Sequence, residues 1–245
     1  MAHSLSDFLA LTADRPQNTG AFEVESERIL QVNLGGAGSG GAALGELWIK
    51  HGSMVAYRGE IGFERQGMLE QGIGNFLKKA ISGEGATLSR ATGRGQLYLA
   101  DGGKRVTVLR LGGESIFVNG NDLLVFEPSV QHEIKMMKKL SAVVSGGLFN
   151  VRLSGHGVVA IVTHGQPLTL VVAQGQPVFT DPQATVAWSG NLSPDYKTDF
   201  QLKSLLGRGS GESFQMKFDV AAGGNGGPGF VIVQPYEERV AQSDD

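Results

Sequence analysis

The chain has no cysteine among its 245 residues. That absence excludes disulfides, iron–sulfur clusters and thiolate zinc sites, and it fits any redox compartment. A basic excess is also missing: 21 Lys and Arg stand against 24 Asp and Glu, a formal net charge of −3. Nothing therefore supplies the electrostatic footprint of a nucleic-acid binder. No apolar run approaches the ~20 residues of a membrane helix. The opening MAHSLSDFLALTADRPQ has no basic region, and its FLALTA stretch is too short for a signal core. The expectation is a cytoplasmic protein without a membrane span.

Several chemical signatures are missing too. No Gly-x-x-x-x-Gly-Lys-Ser/Thr phosphate loop and no Gly-x-Ser-x-Gly nucleophile turn occurs. The five histidines (His3, His51, His132, His156, His164) contain no pair one residue apart, and His132-Glu133 lacks the second histidine of a zinc helix. GAGSGG (36–41) and GNGGPG (224–229) match a dinucleotide fingerprint in letters only. Such a fingerprint must open a helix whose N-terminus holds the pyrophosphate, and both stretches run into strand-like sequence. They read as surface loops. The expectation is no catalytic set, no metal and no cofactor.

Glycine is what the chain has in excess: 37 residues, about twice the usual ~7%. Spread between short apolar runs, it implies many tight turns and an all-β protein. Three Gly-x-Gly triplets each lead into an apolar run: GRGQLYLA (93–100), GHGVVAIV (155–162) and GPGFVIVQ (227–234). Glycine at such places permits positive φ or a close crossing of backbones. Val158–Val162 is apolar on both faces and suits a buried central strand.

Other features recur in the same order. Strand-like runs reach turns at His51-Gly52, Glu127-Pro128 and Asp181-Pro182 within 45–57, 120–134 and 175–188. Lysine-bearing segments that end in glycine follow at 75–85, 134–147 and 199–212, with apolar spacing that suits one or two helical turns. An alternating strand comes next (Ala86, Leu88; Leu148, Val151, Leu153; Phe214, Met216, Phe218), and then the Gly-x-Gly strand. This order implies an internal pseudo-threefold repeat.

The expected organisation is an N-terminal segment, 1–20, whose Phe8, Leu9 and Leu11 form one face of a short helix docked on the body. One β-domain follows over 21–240, and then a disordered tail at 241–245. Glu23, Glu25 and Glu27 alternate with Phe22 and Val24 and read as the solvent face of an edge strand. Lys135, Lys138 and Lys139 read as a solvated helix face. The Asn191-Leu192-Ser193 sequon carries no meaning without secretion.

The candidate ligand-binding residues are His51, Glu127 and Asp181, which occupy the same slot in the three repeats. Around a repeat axis they would converge into a site of hard oxygens and one imidazole. The bland alternative is three ordinary turn residues, Asp before Pro being a common turn signal.

GELWIKHGSMVAYRGEIGFE (45–64), LKKAISGEGATLSRATGRGQLYLA (77–100), GGLFNVRLSGHGVVAIVTHG (146–165) and PVFTDPQATVAWSGNL (177–192) resemble bacterial relatives of the altered-inheritance-of-mitochondria family. The resemblance runs from about Ala21 to Pro235, and Gly-Ser-Met-Val at 52–55 and Gly-Glu-Gly at 83–85 are its most specific parts. It implies an antiparallel β-sandwich of the double-stranded β-helix type, similar in fold to the tryptophan RNA-binding attenuation protein. The family has no established enzymatic activity or agreed ligand to carry over, and its mitochondrial members are linked to inner-membrane organisation. RNA binding does not follow from the fold.

Together these readings point to a non-enzymatic scaffold or assembly protein. It would act through its β-surface as a homo-oligomer, with a trimer as the candidate stoichiometry and an unidentified protein partner. The alternative is a small-molecule or metal-binding protein with its site near the repeat axis.

Overall fold

The computed structural model describes residues 3–14, 20–38, 41–65, 88–136, 149–198, 214–220 and 227–237. Its element order is α1 (Leu5–Thr12), β1 (Phe22–Ser26), β2 (Ile29–Leu34), β3 (Glu46–Lys50), β4 (Met54–Arg65), β5 (Leu88–Leu99), β6 (Arg105–Asn119), β7 (Leu123–Phe126), β8 (Val130–Met136), β9 (Phe149–Thr163), β10 (Leu168–Val172), β11 (Val178–Thr180), β12 (Thr185–Ser189), β13 (Asp195–Thr198), β14 (Phe214–Phe218) and β15 (Gly229–Val233). The protein is predominantly β, as glycine content and patterning imply. Every pairing is antiparallel. Twelve strands form one sheet, with β4 beside β5 and β8 beside β9, while β11, β14 and β13 form a second.

Two of the Gly-x-Gly triplets fall where a strand changes partners. β5 pairs with β3 over Leu88–Thr92 and with β2 over Gly95–Leu99; Gly93-Arg94-Gly95 spans the change. β9 pairs with β8 up to Gly155 and with β7 from Val159. Gly227-Pro228-Gly229 instead leads into β15, whose first residue is Gly229. The chain bends sharply at the first of these places. The rings of Tyr57 and Phe63 on β4 are 5.5 Å apart, although six residues of straight strand span roughly 20 Å. Gly59 lies between them at φ +95°, opposite Gly95. The first triplet is a corner.

This corrects the reading in one respect. The alternating strand and the Gly-x-Gly strand are a single long strand in β5 and in β9. The glycines keep the ladder hydrogen-bonded while it turns, so no separate element is needed. The turns at His51-Gly52, Glu127-Pro128 and Asp181-Pro182 all lie between strands, as expected. The expected helical segments at 75–85 and 199–212 and the tail at 241–245 lie outside the described residues. Of 134–147, the described part, Ile134–Met136, is strand. Its ladder with Asn150 and Val151 overrides the helical spacing.

Three apolar clusters fill the interior. One gathers Leu30, Val32, Leu47, Ile49, Leu97 and Leu99. A second holds Phe126, Leu153, Val159 and Ile161. A third holds Trp188, Met216 and Phe218. β9 runs through the middle of the large sheet, and Val158–Val162 is buried throughout. Among the described residues no helix is long and apolar enough to cross a membrane, which says nothing of strands.

Candidate functional site

The N-terminal helix forms as expected. Ser4 caps it, its hydroxyl accepting the Asp7 N–H, but none of its residues is buried. Phe8, Leu9 and Leu11 are more than half exposed. The expected docking of that apolar face on the body is therefore corrected, since an eight-residue helix presents too little area to close over the sheet. A polar contact after the helix makes the attachment instead. Asp14 Oδ2 accepts a hydrogen bond from the Tyr98 hydroxyl at 2.7 Å and one from Arg58 Nη1 at 3.0 Å. The Arg58 guanidinium lies 6.0 Å from the Tyr98 ring centre. Asp14 Oδ1 is buried without a hydrogen-bond partner.

Tyr98 belongs to a polar row that crosses three strands. Glu23 on β1 opposes Gln31 on β2, which opposes Tyr98 on β5. Alternation along β2 puts Leu30 and Val32 in the core and Gln31 on the opposite face, yet Gln31 is fully buried too. Glu23 is 5% exposed while Val24 is 44% exposed. The expected solvent face of β1 is thus inverted at this pair, because the glutamate side of the strand shares its face with the covered row. Beside the row, Leu11, Thr12, Ala13, Asp14, Glu25 and Ile29 contribute to a cleft of about 590 Å³.

Burial, and then the hydrogen bond to Asp14, push the Tyr98 hydroxyl from 10.0 up to about 12. The native state favours the protonated phenol. That preference contributes stability in full below pH 10.0 and loses it as pH rises from there to about 12. Tyr196, buried elsewhere, is also pushed up to about 12, so in a Tyr196→Phe background Asp14→Asn should bring the most resistant tyrosine down in a tyrosinate absorbance titration, yet leave it above 10.0 because burial is the larger cause. An unchanged titration would mean that Asp14 does not hold Tyr98.

Next to the cleft runs β4, twelve residues long. It is exposed from Met54 to Glu60 and again from Gly62 to Glu64. Among the described residues only β5 pairs with it. Tyr57 is 47% exposed and Phe63 37%. An exposed strand this long, with apolar side chains and an open edge, is a template for another strand.

The three sequence candidates are not brought together. His51 is exposed in the β3–β4 turn, its Nδ1 3.0 Å from the Ser89 hydroxyl. Glu127 is buried, and its Oε2 accepts the Val158 N–H at 2.8 Å. Asp181 closes its own turn, with Oδ1 accepting the Gln183 N–H and its carbonyl accepting the Thr185 hydroxyl. Among the described residues no three His, Asp or Glu side chains form a group that could hold a metal ion. The sequence reading missed Asp14 and Tyr98. Their only local signal was a carboxylate after a helix and a tyrosine in an apolar strand.

The chain matches the family described as mitochondrial biogenesis AIM24 over residues 22–236. No curated protein matches significantly. The crystal structure of protein SPYM3_0169 from Streptococcus pyogenes is similar in fold, with a TM-score of 0.65 at 20% identity, covering 89% of this chain and 93% of that one.

Proposed function

We propose that this chain, which belongs to the mitochondrial biogenesis AIM24 family, is a non-enzymatic assembly protein that acts through its β-surface as a homo-oligomer. The observation that carries this reading is β4, whose side chains are exposed along nearly its whole length and whose second edge meets no described strand. Among the described residues, nothing in a single copy pairs the N–H and C=O groups of that edge, and two aromatic rings stay half uncovered. Association removes both costs.

The repeat is part of the same reading. β5 takes β2, β3 and β4 as partners, and β9 takes β6, β7 and β8. β15 takes β10 and β12, while β13 pairs with β14 just upstream. Three units, each closing its own strands onto a final cornered strand, would account for this pattern. A sandwich of the double-stranded β-helix type is the architecture such corners build.

Native mass spectrometry of the chain purified without chelator tests the function. The expected spectrum is a ligand-free homo-oligomer. A monomer at tens of micromolar would overturn the assembly reading, and a stoichiometric bound mass would replace it with a binding one.

A further inference from the structure

The assembly reading leaves open which surface meets which, and β4 answers that from its own sequence. We infer that β4 pairs antiparallel with β4 of a second copy, about a two-fold axis through Gly59, so that the large sheet continues from one chain into the other. This rests on the homo-oligomer reading and goes further by fixing partner, strand and register.

Symmetry restricts the choice first. Opposed residues in an antiparallel ladder alternate between hydrogen-bonded and non-bonded pairs. A two-fold axis normal to the sheet must therefore place some residue opposite its own copy. Otherwise two equivalent pairs would need different bonding. The bend then selects the residue. β4 turns at Gly59, in line with the corner of β5 at Gly95. A second β4 can follow the same corner only if its own Gly59 sits on that line.

Charge agrees with geometry. With Gly59 opposite Gly59, Arg58 faces Glu60 of the second copy, and Glu60 faces the second Arg58. Arg58 is 66% exposed and turns Nη1 to Asp14, so the rest of its guanidinium fork can meet a carboxylate. On the other face, Tyr57 comes opposite Ile61, and Phe63 stands 5.5 Å from Tyr57 of its own chain. The four aromatic rings would gather on the concave side of the continued sheet. The nearest alternatives allowed by symmetry centre on Arg58 or on Glu60. They set two arginines or two glutamates directly against each other, which is destabilising in a ladder. An isologous contact of this kind closes at two copies, so it gives a dimer or an even multiple of one, not the trimer that a threefold pattern suggests.

The absence of native cysteine makes the test direct. Arg58→Cys and Glu60→Cys chains are purified separately, mixed, allowed to exchange and mildly oxidised. Opposed Cβ atoms in a ladder lie about 4.5–5.5 Å apart, close to what a disulfide bridges. The expected result is a covalent dimer of one chain of each kind, several-fold more abundant than the covalent dimer of either variant alone. A charge exchange supports it independently. Glu60→Arg should return the dimer to monomer, and Arg58→Glu with Glu60→Arg in one chain should restore it. If the wild type is oligomeric but the mixture cross-links no better than the single variants, the register is wrong and the assembly reading stands. If the wild type is monomeric, both fall.

Discussion

Asp122→Ala should lower the melting temperature by roughly 6–20 °C, from a loss of about 3–5 kcal/mol on breaking a buried pair, at some 2–4 °C per kcal/mol for a chain of this size. Asp122 is fully buried and Lys104 only 5% exposed, and their Oδ1 and Nζ atoms are 3.0 Å apart. Lys104 Nζ also donates to the Asn121 carbonyl at 3.0 Å. Lys50 Nζ donates to the same carbonyl at 2.8 Å and to Asp101 at 2.6 Å. Two ammonium groups and two carboxylates therefore tie the ends of β3 and β5 to the turn before β7. Asp122 further fixes that turn through its backbone, donating to the Asn119 carbonyl and accepting the Val162 N–H. Removing the carboxylate takes the Asp122 charge away from an ammonium that is only 5% exposed, and that penalty, more than the lost attraction, sets the size of the effect. The double variant Lys104→Met, Asp122→Leu should therefore recover most of the loss in a thermal melt followed by circular dichroism. A single variant that melts with the wild type would mean that the pair is solvated in solution.

The same pair marks the limit of what the sequence discloses. DGGK at 101–104 and NGND at 119–122 are glycine-bearing turns between strands. Lys104, Asn119 and Asp122 are nevertheless buried, because the two turns are neighbours through the β6–β9 ladder and meet the end of β3. No local pattern records that. Glu23 fails for a similar reason: alternation correctly puts it opposite Phe22, but which of the two faces is covered is a matter of tertiary packing that alternation does not record. β4 is the converse case. MVAYRGEIGFER has enough apolar residues for a buried strand, and it is exposed because no described strand lies on its far side. What was legible lies in backbone geometry. Turns at His51-Gly52, Glu127-Pro128 and Asp181-Pro182, the buried run at Val158–Val162 and the architectural role of Gly-x-Gly depend on local conformational preference. The equal slots of His51, Glu127 and Asp181 are likewise legible as turn positions. A slot in sequence does not bring side chains together, and two of these spend their carboxylate oxygens on nearby or cross-strand backbone N–H groups.

Gly95→Ala should cost more than 4–5 kcal/mol, about the largest class of single-residue effect, and so leave little soluble protein. A Cβ at Gly95 would lie 1.9 Å from the Arg58 carbonyl oxygen, and the residue sits at φ +149°. Gly93 is alike, with the Glu60 carbonyl oxygen 2.0 Å away at φ +128°. Both obstacles are backbone of the paired strand, so no side chain can swing aside. β4 would have to separate from β5 at the corner, and the separation would break the ladder that carries both halves of each strand. Gly62 provides the control on the same hairpin. Its Cβ would meet Thr92 Oγ1 at an ordinary 3.7 Å, and its φ is not in the left-handed region. Gly62→Ala should melt within about 1 kcal/mol of the wild type, as an unobstructed substitution does. The contrast separates two reasons for glycine in this chain. If Gly95→Ala folds and melts like Gly62→Ala, the triplets are there for turn flexibility alone. If only Gly95→Ala fails, the close approach of β4 and β5 at the corner is what the triplet serves. The bend that would align two copies of β4 at Gly59 is then a property of the backbone itself.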